Sequence, residues 1–374
     1  MAYTGDGSQA NPYVIDNSDG LAWSDFNTLN SNYNDKYITF ADVHVDENGD
    51  FDIVGTGTSA DPYIVSTYRE MLHCTGASNI HQCKMIANDS TTREMTYRYD
   101  YENPETHAVT SKYCRYNPAP TTIDWNDISV DYRSYILIAN HCDMNGWTFL
   151  NFKVTTGGSH AGLFTCYYVS NNKADLNKLF FLNAQVKASP EEGNSELFDV
   201  KVRDCIMQID VDASSIGSSN YFQFSYSSSY GYGFEKNSLY LTVTGNCGFR
   251  FCYVSDMNIT DSLVVIDADV RQFGHSGYSQ DGGMSMVRSI IKGKVKFTTN
   301  GDYSFFSTCN RSIIDVEYES ENTPLPPRYT ASRSVFNKEK VAWNDVTGLT
   351  GVTSTELLSP TALQAVGLPI GVDT

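Results

Sequence analysis

The sequence predicts an all-β protein, a right-handed parallel β-helix with a small N-terminal β module and short helical caps. One observation is a short phrase, ending in Ser and an aliphatic residue, that occurs four times in the second half of the 374-residue chain. The other is the alternation of apolar and polar residues after each copy, which buries one face of a strand and exposes the other. The four copies are Asn237-Ser238-Leu239, Asp261-Ser262-Leu263, Arg288-Ser289-Ile290 and Arg311-Ser312-Ile313.

The strands after these copies share one set of inward positions. The four serines are separated by 24, 27 and 23 residues, which is the length expected of one coil of a solenoid. Two stretches upstream, Leu182 to Val186 and Ile209 to Ala213, fit the same template. The inward residues are Leu239, Leu241 and Val243; Ile266, Ala268 and Val270; Ile291, Gly293, Val295 and Phe297; and Ile314, Val316 and Tyr318.

The outward positions change their charge from coil to coil. In the sequence, a coil with three lysines lies between two acidic coils. If the coils stack in register about 4.8 Å apart, these lysines offset the repulsion between the carboxylates on either side. This interpretation makes the carboxylates structural. The residues are Lys292, Lys294 and Lys296, with Asp267 and Asp269 before them and Asp315 and Glu317 after them.

The same carboxylates allow a catalytic alternative. Glycoside hydrolysis uses two carboxylates about 5 to 9 Å apart, and residues i and i+2 of any strand meet that spacing. If the protein is an enzyme, Asp210, Asp267 and Asp315 are the first catalytic candidates. We favour the structural interpretation, because a catalytic pair also needs neighbours that perturb its pKa. We therefore expect no catalytic residue and no cofactor.

Composition and charge exclude two classes of partner. The formal net charge is −18, the isoelectric point is near 4.7, and 41% of the residues are hydrophobic. An acidic surface repels phosphate groups, so we expect neither nucleic acid nor an anionic membrane as a partner. The sequence starts without a basic and then apolar leader segment, which predicts neither secretion through a cleaved signal nor a membrane anchor.

The nine cysteines lack regular pairing, and we expect free, buried thiols. No metal site is expected either. The cluster of His73, Cys74, His81 and Cys83 lacks the Cys-x-x-Cys knuckle that is usual in zinc sites, although a zinc site or a Cys74–Cys83 disulfide is the alternative there. The acidic segment 46–52 resembles the start of a calcium loop, but glycine is missing at the sixth position and glutamate at the twelfth, which favours a solvated turn.

A duplicated phrase, fifty positions apart, organises the first part of the chain. Each copy, at 5–15 and 55–65, has a Gly-x-Gly turn, an Asn or Asp before Pro, and a short strand. Capping boxes at Thr67–Glu70 and Thr353–Glu356 predict short helices that close the two ends of the solenoid. The predicted segments are a β attachment module (1–54), an N-terminal cap with the first coils (55–140), the β-helix (141–343) and a C-terminal capping tail (344–374).

Four phrases, at Gly55–Val65, Cys142–Phe152, Ala161–Phe164 and Gly351–Gly367, carry a family resemblance. Together they resemble the right-handed β-helix surface proteins with GLUG-type repeats, over most of the chain from about Gly55. The sequence departs from that family at Met144, where Met-Asn-Gly stands in place of a Gly before Asn. The resemblance implies a β-helix that is displayed on a surface.

Because no export signal is visible, the resemblance favours a bacteriophage particle over a bacterial cell wall. Capped β-helices of this size look like phage fibre, spike and capsid-surface decoration proteins. That likeness implies a homotrimer at the virion surface, assembled in the host cytoplasm and joined to other virion proteins through residues 1–54. Three hypotheses follow: a non-catalytic virion protein, which we favour, a polysaccharide-degrading tailspike enzyme, and a bacterial surface adhesin.

Two insertions rich in Tyr, Ser and Gly predict a ligand-binding surface. They lie at 221–234 and 273–283, and each lengthens one coil. Tyrosine rings stack on sugar rings while their hydroxyls form hydrogen bonds, so a host cell-surface glycan is the expected ligand. The alternative is an aromatic stack in the solenoid core beside a polar loop. The candidate residues are Tyr221, Tyr226, Tyr230, Tyr232, His275 and Tyr278.

Overall fold

A computed structural model describes about two thirds of the chain, and the structural statements below refer to these residues. They are residues 4–15, 22–32, 35–41, 51–65, 68–77, 83–88, 96–103, 106, 108–116, 122–124, 136–137, 141–156, 164–165, 175–188, 195–196, 198–225, 233–252, 257–273, 284–300, 306–320, 326–327, 330–344, 347–357 and 359.

Strands far outnumber helices in the described residues. The helices are α1 Ala22–Asn32, α2 Tyr68–Thr75 and α3 Ser354–Leu357. Of the described helices, none has the length and apolar character needed to cross a bilayer. The strands are β1 Tyr13–Ile15, β2 Tyr37–Phe40, β3 Tyr63–Val65, β4 Cys83–Asn88, β5 Thr96–Glu102, β6 Val109–Tyr116, β7 Thr122–Asp124, β8 Ile136–Leu137, β9 His141–Leu150, β10 Lys153–Thr156, β11 Phe164–Thr165, β12 Asp175–Ala188, β13 Ser195–Glu196, β14 Phe198–Asp199, β15 Lys201–Arg203, β16 Ile206–Asp212, β17 Tyr221–Ser225, β18 Gly233–Glu235, β19 Ser238–Cys252, β20 Met257–Thr260, β21 Leu263–Phe273, β22 Met284–Val287, β23 Ile290–Asn300, β24 Phe306–Asn310, β25 Ile313–Glu319, β26 Thr330–Ser332, β27 Ser334–Asn337 and β28 Leu349–Val352.

Most strands join one large sheet in which neighbours are parallel. Its longest stack runs through β9, β12, β16, β19, β21, β23, β25, β27 and β28, each paired with the next. A second stack beside it runs through β15, β18, β20, β22, β24 and β26. Strands one coil apart therefore pair in parallel and in order, which is the pattern of a parallel β-helix. The predicted fold class is confirmed.

The inward side chains form a continuous core along the solenoid axis. Leu239 and Ile266, two predicted inward residues, are 0% and 1% exposed. Aromatic rings stack from coil to coil: the ring centroids of Phe222 and Phe249 are 6.1 Å apart, and those of Phe249 and Phe273 are 6.3 Å apart. Burial of each such side chain contributes about 1.5–3 kcal/mol to stability.

A sharp corner precedes six strands of the longest stack, from β16 to β27, and an equivalent corner lies within β12. One residue on each of seven coils has a φ between 48° and 57°, a left-handed conformation that turns the chain before the next strand begins. We call these residues the first corner: Lys178, Asp204, Lys236, Asp261, Arg288, Arg311 and Arg333.

The residues that follow the first corner form a buried hydrogen-bond ladder, here called the serine ladder. The backbone N–H of one coil donates to a side-chain oxygen of the next, as from Cys205 to Asn237 Oδ1 at 2.8 Å and from Ser289 to Ser312 Oγ at 3.2 Å. The Ser312 hydroxyl in turn donates to the Asn310 carbonyl at 2.9 Å. Because buried N–H groups need partners, this ladder fixes the register of the coils. Its members are Asn237, Ser262, Ser289, Ser312 and Ser334.

The pairing of the strands corrects the sequence alignment of one copy of the repeat. Ser238 pairs with Leu263, so the residue equivalent to Ser262 is Asn237, and the alignment on Ser238 is wrong. Asparagine and serine side chains can both accept one hydrogen bond and donate another. Asn237 does so by donating from Nδ2 to the Val202 carbonyl at 3.0 Å. The repeat in the later copies is therefore a corner residue, a ladder residue and an aliphatic residue, and Ser238 stands at the aliphatic position in this copy.

The duplicated phrase forms the same turn twice. Gly5 and Gly55 have φ angles of 91° and 102°, and a Cβ atom on either would lie 1.9 or 2.2 Å from the carbonyl oxygen of Pro12 or Pro62. No residue with a side chain fits either position without moving the backbone. After the first turn, β1 pairs in parallel with β2, and β2 pairs with β9. The first copy therefore starts the main sheet.

The second copy starts a separate four-stranded sheet in the order β3-β6-β5-β4. In sequence this sheet lies between β2 and β9, which are neighbours in the main sheet, so it is an insertion between two successive coils. With α2 it covers apolar residues on the outside of the solenoid. Val65, Met71 and Tyr99 form one buried cluster with Phe180 and Ile206.

The C-terminal capping box forms as predicted. The Glu356 N–H donates to Thr353 Oγ1 at 3.2 Å, and the Thr353 N–H donates to Glu356 Oε2 at 2.7 Å. Leu357 of α3 then packs with Ile313 and Val335, which lie on the outside of the last coils. Thr67 of the other predicted capping box lies outside the described residues.

Candidate functional site

The outward side chains of β12, β16, β19, β21, β23 and β25, here called the outer face, form a ladder of charges. Lys296 lies in register between Asp269 and Glu319. Its Nζ is 2.8 Å from Asp269 Oδ2, and Lys294 Nζ is 2.6 Å from Glu319 Oε1. These hydrogen bonds raise the pKa of both lysines. The predicted basic coil between two acidic coils is confirmed.

The structure separates the three carboxylates considered for catalysis. Asp210 and Asp267 share one column of the outer face with one strand between them, so their Cα atoms are about 9.6 Å apart. Asp315 lies in the neighbouring column on β25. There it accepts a hydrogen bond from Asn337 Nδ2 at 2.7 Å and lies 2.9 Å from Lys340 Nζ. The three candidates therefore do not form one acid–base site.

Asp212 shows how an outer-face carboxylate is held. Its Oδ1 accepts a hydrogen bond from the Ser214 N–H at 2.9 Å, and hydrogen bonds from Ser214 lower the pKa of this carboxyl. The general acid of a glycosidase needs a raised pKa. The shift at Asp212 is therefore in the direction opposite to the one that a general acid requires.

Tyr221 lies in the wall of the solenoid, where it is 7% exposed. The Arg250 guanidinium carbon is 4.3 Å from its ring centroid, within range of a cation–π contact. A Cβ atom on Gly248, one coil away, would lie 2.3 Å from the same ring. The neighbouring Phe222 is fully buried in the core. At these two residues the structure matches the core alternative, and Tyr221 has little surface left for a ligand.

The other five ligand-binding candidates lie outside the described residues, but the strands that lead to them are described. β17 ends before segment 226–232, and β21 ends before segment 274–283. β19 pairs with both of these strands and lies between them. Both segments therefore leave the same edge of the solenoid, two coils apart. The roles of the residues in them stay predictions: Tyr226, Tyr230, Tyr232, His275 and Tyr278.

Sequence reasoning missed a buried polar pair beneath this edge. Arg250 is 2% exposed, and its Nε donates to Oε1 of the fully buried Gln223 at 2.9 Å. A buried guanidinium needs such partners, because its transfer out of water is costly. The available signal was an arginine between Phe249 and Phe251, in a stretch, Cys247 to Cys252, that is otherwise apolar. The pair braces the base from which the tyrosine-rich segments leave.

A second missed cluster links the first coils. His141 Nδ1 is 2.8 Å from Asp175 Oδ2, and its Nε2 is 3.2 Å from Asp35 Oδ1. The imidazole also stacks on Tyr37, with ring centroids 4.6 Å apart. This cluster is not a metal centre: in the described part of the chain, no group of three or more His, Cys, Asp or Glu residues could hold an ion.

Six of the described cysteines are free thiols, as predicted, and all of them except Cys74 are buried: Cys74, Cys114, Cys142, Cys205, Cys247 and Cys309. Burial raises the pKa of Cys205 and of Cys309 to about 12, which keeps both thiols protonated and unreactive. Cys74 is also free, so the alternative of a Cys74–Cys83 disulfide is wrong. The zinc and calcium alternatives involve His81 and residues 46–50, which lie outside the described residues.

Comparisons with known proteins returned no relative. No family model, no curated protein and no solved structure matches the chain. The fold and the outer face define the class of the protein as a parallel β-helix with a helix and a small sheet packed on its outside. The GLUG-type resemblance and the virion assignment therefore enter below as proposals.

Proposed function

We propose that this chain is a non-catalytic structural surface protein of a bacteriophage, a fibre, spike or capsid-surface decoration, that displays a glycan-binding surface to the host. The observation that carries the proposal is the charge pairing on the outer face. Lys294 and Lys296 bond to carboxylates of neighbouring coils, and the three carboxylates considered for catalysis lie apart. Such pairing joins neighbouring coils and gives these carboxylates a structural role.

The ligand surface in this proposal is the edge from which the two tyrosine-rich segments leave. β17, β19 and β21 form its base, braced by the buried pair of Arg250 and Gln223. Binding residues are often carried by loops on a rigid scaffold. Tyr, Ser and Gly supply aromatic faces and adaptable hydrogen bonds, which suit a cell-surface glycan.

The proposal also assigns assembly and location. The protein is a homotrimer that is assembled in the host cytoplasm and joined to other virion proteins through residues 1–54. The likeness to phage fibre and decoration proteins supports this assignment. The position of β1 at one end of the main sheet supports it too, because attachment there leaves the later coils free to project.

The binding function is tested with purified capsule or cell-wall glycan from candidate hosts. Retention of the glycan by the protein and the appearance of new reducing or unsaturated ends are followed together. We expect retention without new ends, both for the wild type and for the triple variant Asp210→Asn, Asp267→Asn, Asp315→Asn. New ends that only the wild type produces would establish the tailspike alternative instead.

The location is tested separately by electron microscopy of purified phage particles labelled with antibody against the chain. We expect label on the particle surface. Label on the wall of uninfected bacteria, with none on particles, would establish the adhesin alternative.

A further inference from the structure

The first corner carries a charge pattern that the turn itself does not require. Its residues alternate in sign from Lys178 to Arg288, and then Arg311 and Arg333 repeat the positive sign. Alternation along a column with a spacing of about 4.8 Å replaces repulsion between neighbours with attraction. The last three coils abandon this arrangement. We call Arg288, Arg311 and Arg333 the arginine row.

Strand register places the arginine row in one column. Val287, Asn310 and Ser332 are equivalent positions on β22, β24 and β26, and one arginine follows each of them. The Arg288 N–H donates to the Asn310 carbonyl at 2.9 Å, and the Arg311 N–H donates to the Ser332 carbonyl at 2.8 Å. The three side chains therefore start from points one coil apart.

The backbone conformation would favour a different residue type. The three arginines have φ angles of 48° to 50°, a region that glycine, asparagine and aspartate adopt more readily than arginine. The chain itself uses asparagine at another corner. Asn151 and Asn183 have φ angles of 55° and 54°, and Asn183 Nδ2 donates to Asn151 Oδ1 at 2.6 Å. The turn itself therefore does not require arginine, since Lys178 and Lys236 also adopt it, and the point to explain is the choice of arginine on three successive coils.

The two ends of the arginine row differ in their partners. Arg288 donates to both carboxylate oxygens of Asp261, at 2.6 and 2.7 Å. No described residue forms an ion pair with Arg311 or Arg333, of which Arg333 is exposed and Arg311 half-buried. Next to them, the exposed Asn310 and Ser332 offer neutral hydrogen-bonding side chains. The C-terminal end of the row is thus a cationic strip with polar groups beside it.

We infer that the arginine row binds a linear anionic glycan whose sugar units carry carboxylates, with the glycan chain lying along the solenoid axis. This inference rests on the proposed glycan-binding function and adds a second site, at the corner where the strands begin, to the tyrosine-rich edge where β17 and β21 end. Arginine donates two parallel hydrogen bonds to a carboxylate. The coil spacing of about 4.8 Å sets the guanidinium groups of the row along the axis of such a chain, where flexible arginine side chains can reach its carboxylates.

The surrounding charges limit the site and exclude a duplex. Asp261, with Glu235 acting on Arg288 from the same side, repels an anionic chain on the N-terminal side of the row. The site therefore spans only the last coils. A nucleic acid duplex needs a broader basic surface than one column of arginines, and the net charge of −18 opposes it.

The test replaces Arg311 and Arg333, which have no described ion-pair partner, with asparagine, a residue type that the corner conformation favours. In the variant Arg311→Asn, Arg333→Asn, the positive φ is easier to adopt, so we expect the same or a higher melting temperature. Affinity for polygalacturonate, measured by calorimetry, falls about tenfold for each arginine removed, since each supplies charge-assisted hydrogen bonds. The wild-type affinity falls as salt is added.

The matched control, Lys294→Asn, Lys296→Asn, also removes two positive charges but leaves the arginine row intact. We expect its affinity for polygalacturonate to stay within about a factor of two of the wild type.

Equal losses of affinity in both variants, or no loss in the arginine variant, would overturn the inference. Binding of duplex DNA as tight as that of polygalacturonate would overturn the glycan assignment. If host glycan is retained but polygalacturonate is not bound, the inference fails and the proposed function stands; if neither binds, both fail.

Discussion

The buried and exposed sides of β23 hold the neighbouring coils by different means. Just before this strand, the Ser289 N–H donates to Ser312 Oγ at 3.2 Å, and both residues are at most 1% exposed. On its outer face, Lys296 is 2.8 Å from Asp269, with side chains 56% and 59% exposed. Water competes for the second contact but not for the first. The comparison shows that the buried hydrogen bonds of the serine ladder hold the register of the coils. The charge ladder is more conspicuous in the sequence, but it lies on the exposed face of a fold that these bonds already align.

The largest effect is expected where a coil approaches its neighbour most closely. Gly293 has a φ of 124°, and a Cβ atom there would lie 1.9 Å from the Ile266 carbonyl oxygen. We expect Gly293→Val to lower the free energy of unfolding by about 3 kcal/mol or more, measured in urea. The control is Gly217→Ala, where the nearest atom lies 4.0 Å away and the change stays within about 0.5 kcal/mol. A loss below about 1 kcal/mol in Gly293→Val would show that this contact can relax.

The next largest effect belongs to the serine ladder. Ser312→Ala leaves the Ser289 N–H without its acceptor and removes one of the two hydrogen bonds to the Asn310 carbonyl, which keeps the one from the Arg288 N–H. An unpaired buried polar group costs about 1–3 kcal/mol, and we expect a loss in that range in the urea unfolding of this variant. Ser332→Ala, at an exposed serine two residues before a ladder residue, serves as the control and leaves the free energy of unfolding nearly unchanged. Similar losses of unfolding free energy in Ser312→Ala and Ser332→Ala would contradict the expectation that the buried serine contributes more to stability than the exposed one.

A smaller effect is expected on the outer face. A double-mutant cycle with Lys296→Ala and Asp269→Ala measures the coupling of this exposed pair. We expect a coupling free energy of at most about 1 kcal/mol, because water solvates both charges in the unfolded and folded states. Added salt screens what remains. A coupling above about 2 kcal/mol that survives high salt would show that this exposed ion pair contributes as much to the free energy of unfolding as a buried hydrogen bond of the serine ladder.

The smallest effect is a pH dependence at the C-terminal cap. Hydrogen bonds from Thr353 lower the pKa of Glu356 below its ordinary value of 4.5. A lowered pKa means that the carboxylate stabilises the folded state fully above 4.5 and that this stabilisation is lost as the pH falls through the lowered pKa. We therefore expect Glu356→Gln to melt below the wild type at pH 7, with the difference shrinking as the pH falls. A difference that is the same on both sides of this window would assign the effect to packing of α3 instead of to charge.

The sequence predicts the stacking of the coils well, because the period-two pattern identifies both the strands and their buried faces. Leu239 and Ile266 were assigned inward on that basis, and Lys294 and Lys296 outward. The register failed at Asn237 for a physical reason. Asn237 and Ser238 are adjacent and either can satisfy a ladder hydrogen bond, so composition does not decide which of them lies at the ladder position.

The candidate site was less predictable, because it depends on contacts between coils. Tyr221 looked like a surface residue in a Tyr-rich segment, but the missing side chain of Gly248 one coil away leaves room for its ring in the wall. His141 meets Asp35 across 106 residues, among which the inserted sheet lies. Spacing along the sequence does not indicate such partners, since the length of each coil varies.

Amide hydrogen exchange tests most directly whether the serine ladder keeps the coils in register. Exchange at Ser289 is compared in the wild type, in Ser312→Ala and in Lys296→Ala. We predict faster exchange at Ser289 in Ser312→Ala, where its acceptor is gone, and unchanged exchange in Lys296→Ala. Unchanged protection of Ser289 in Ser312→Ala, or the same loss of protection in both variants, would contradict the claim that the buried corner holds the coils in register.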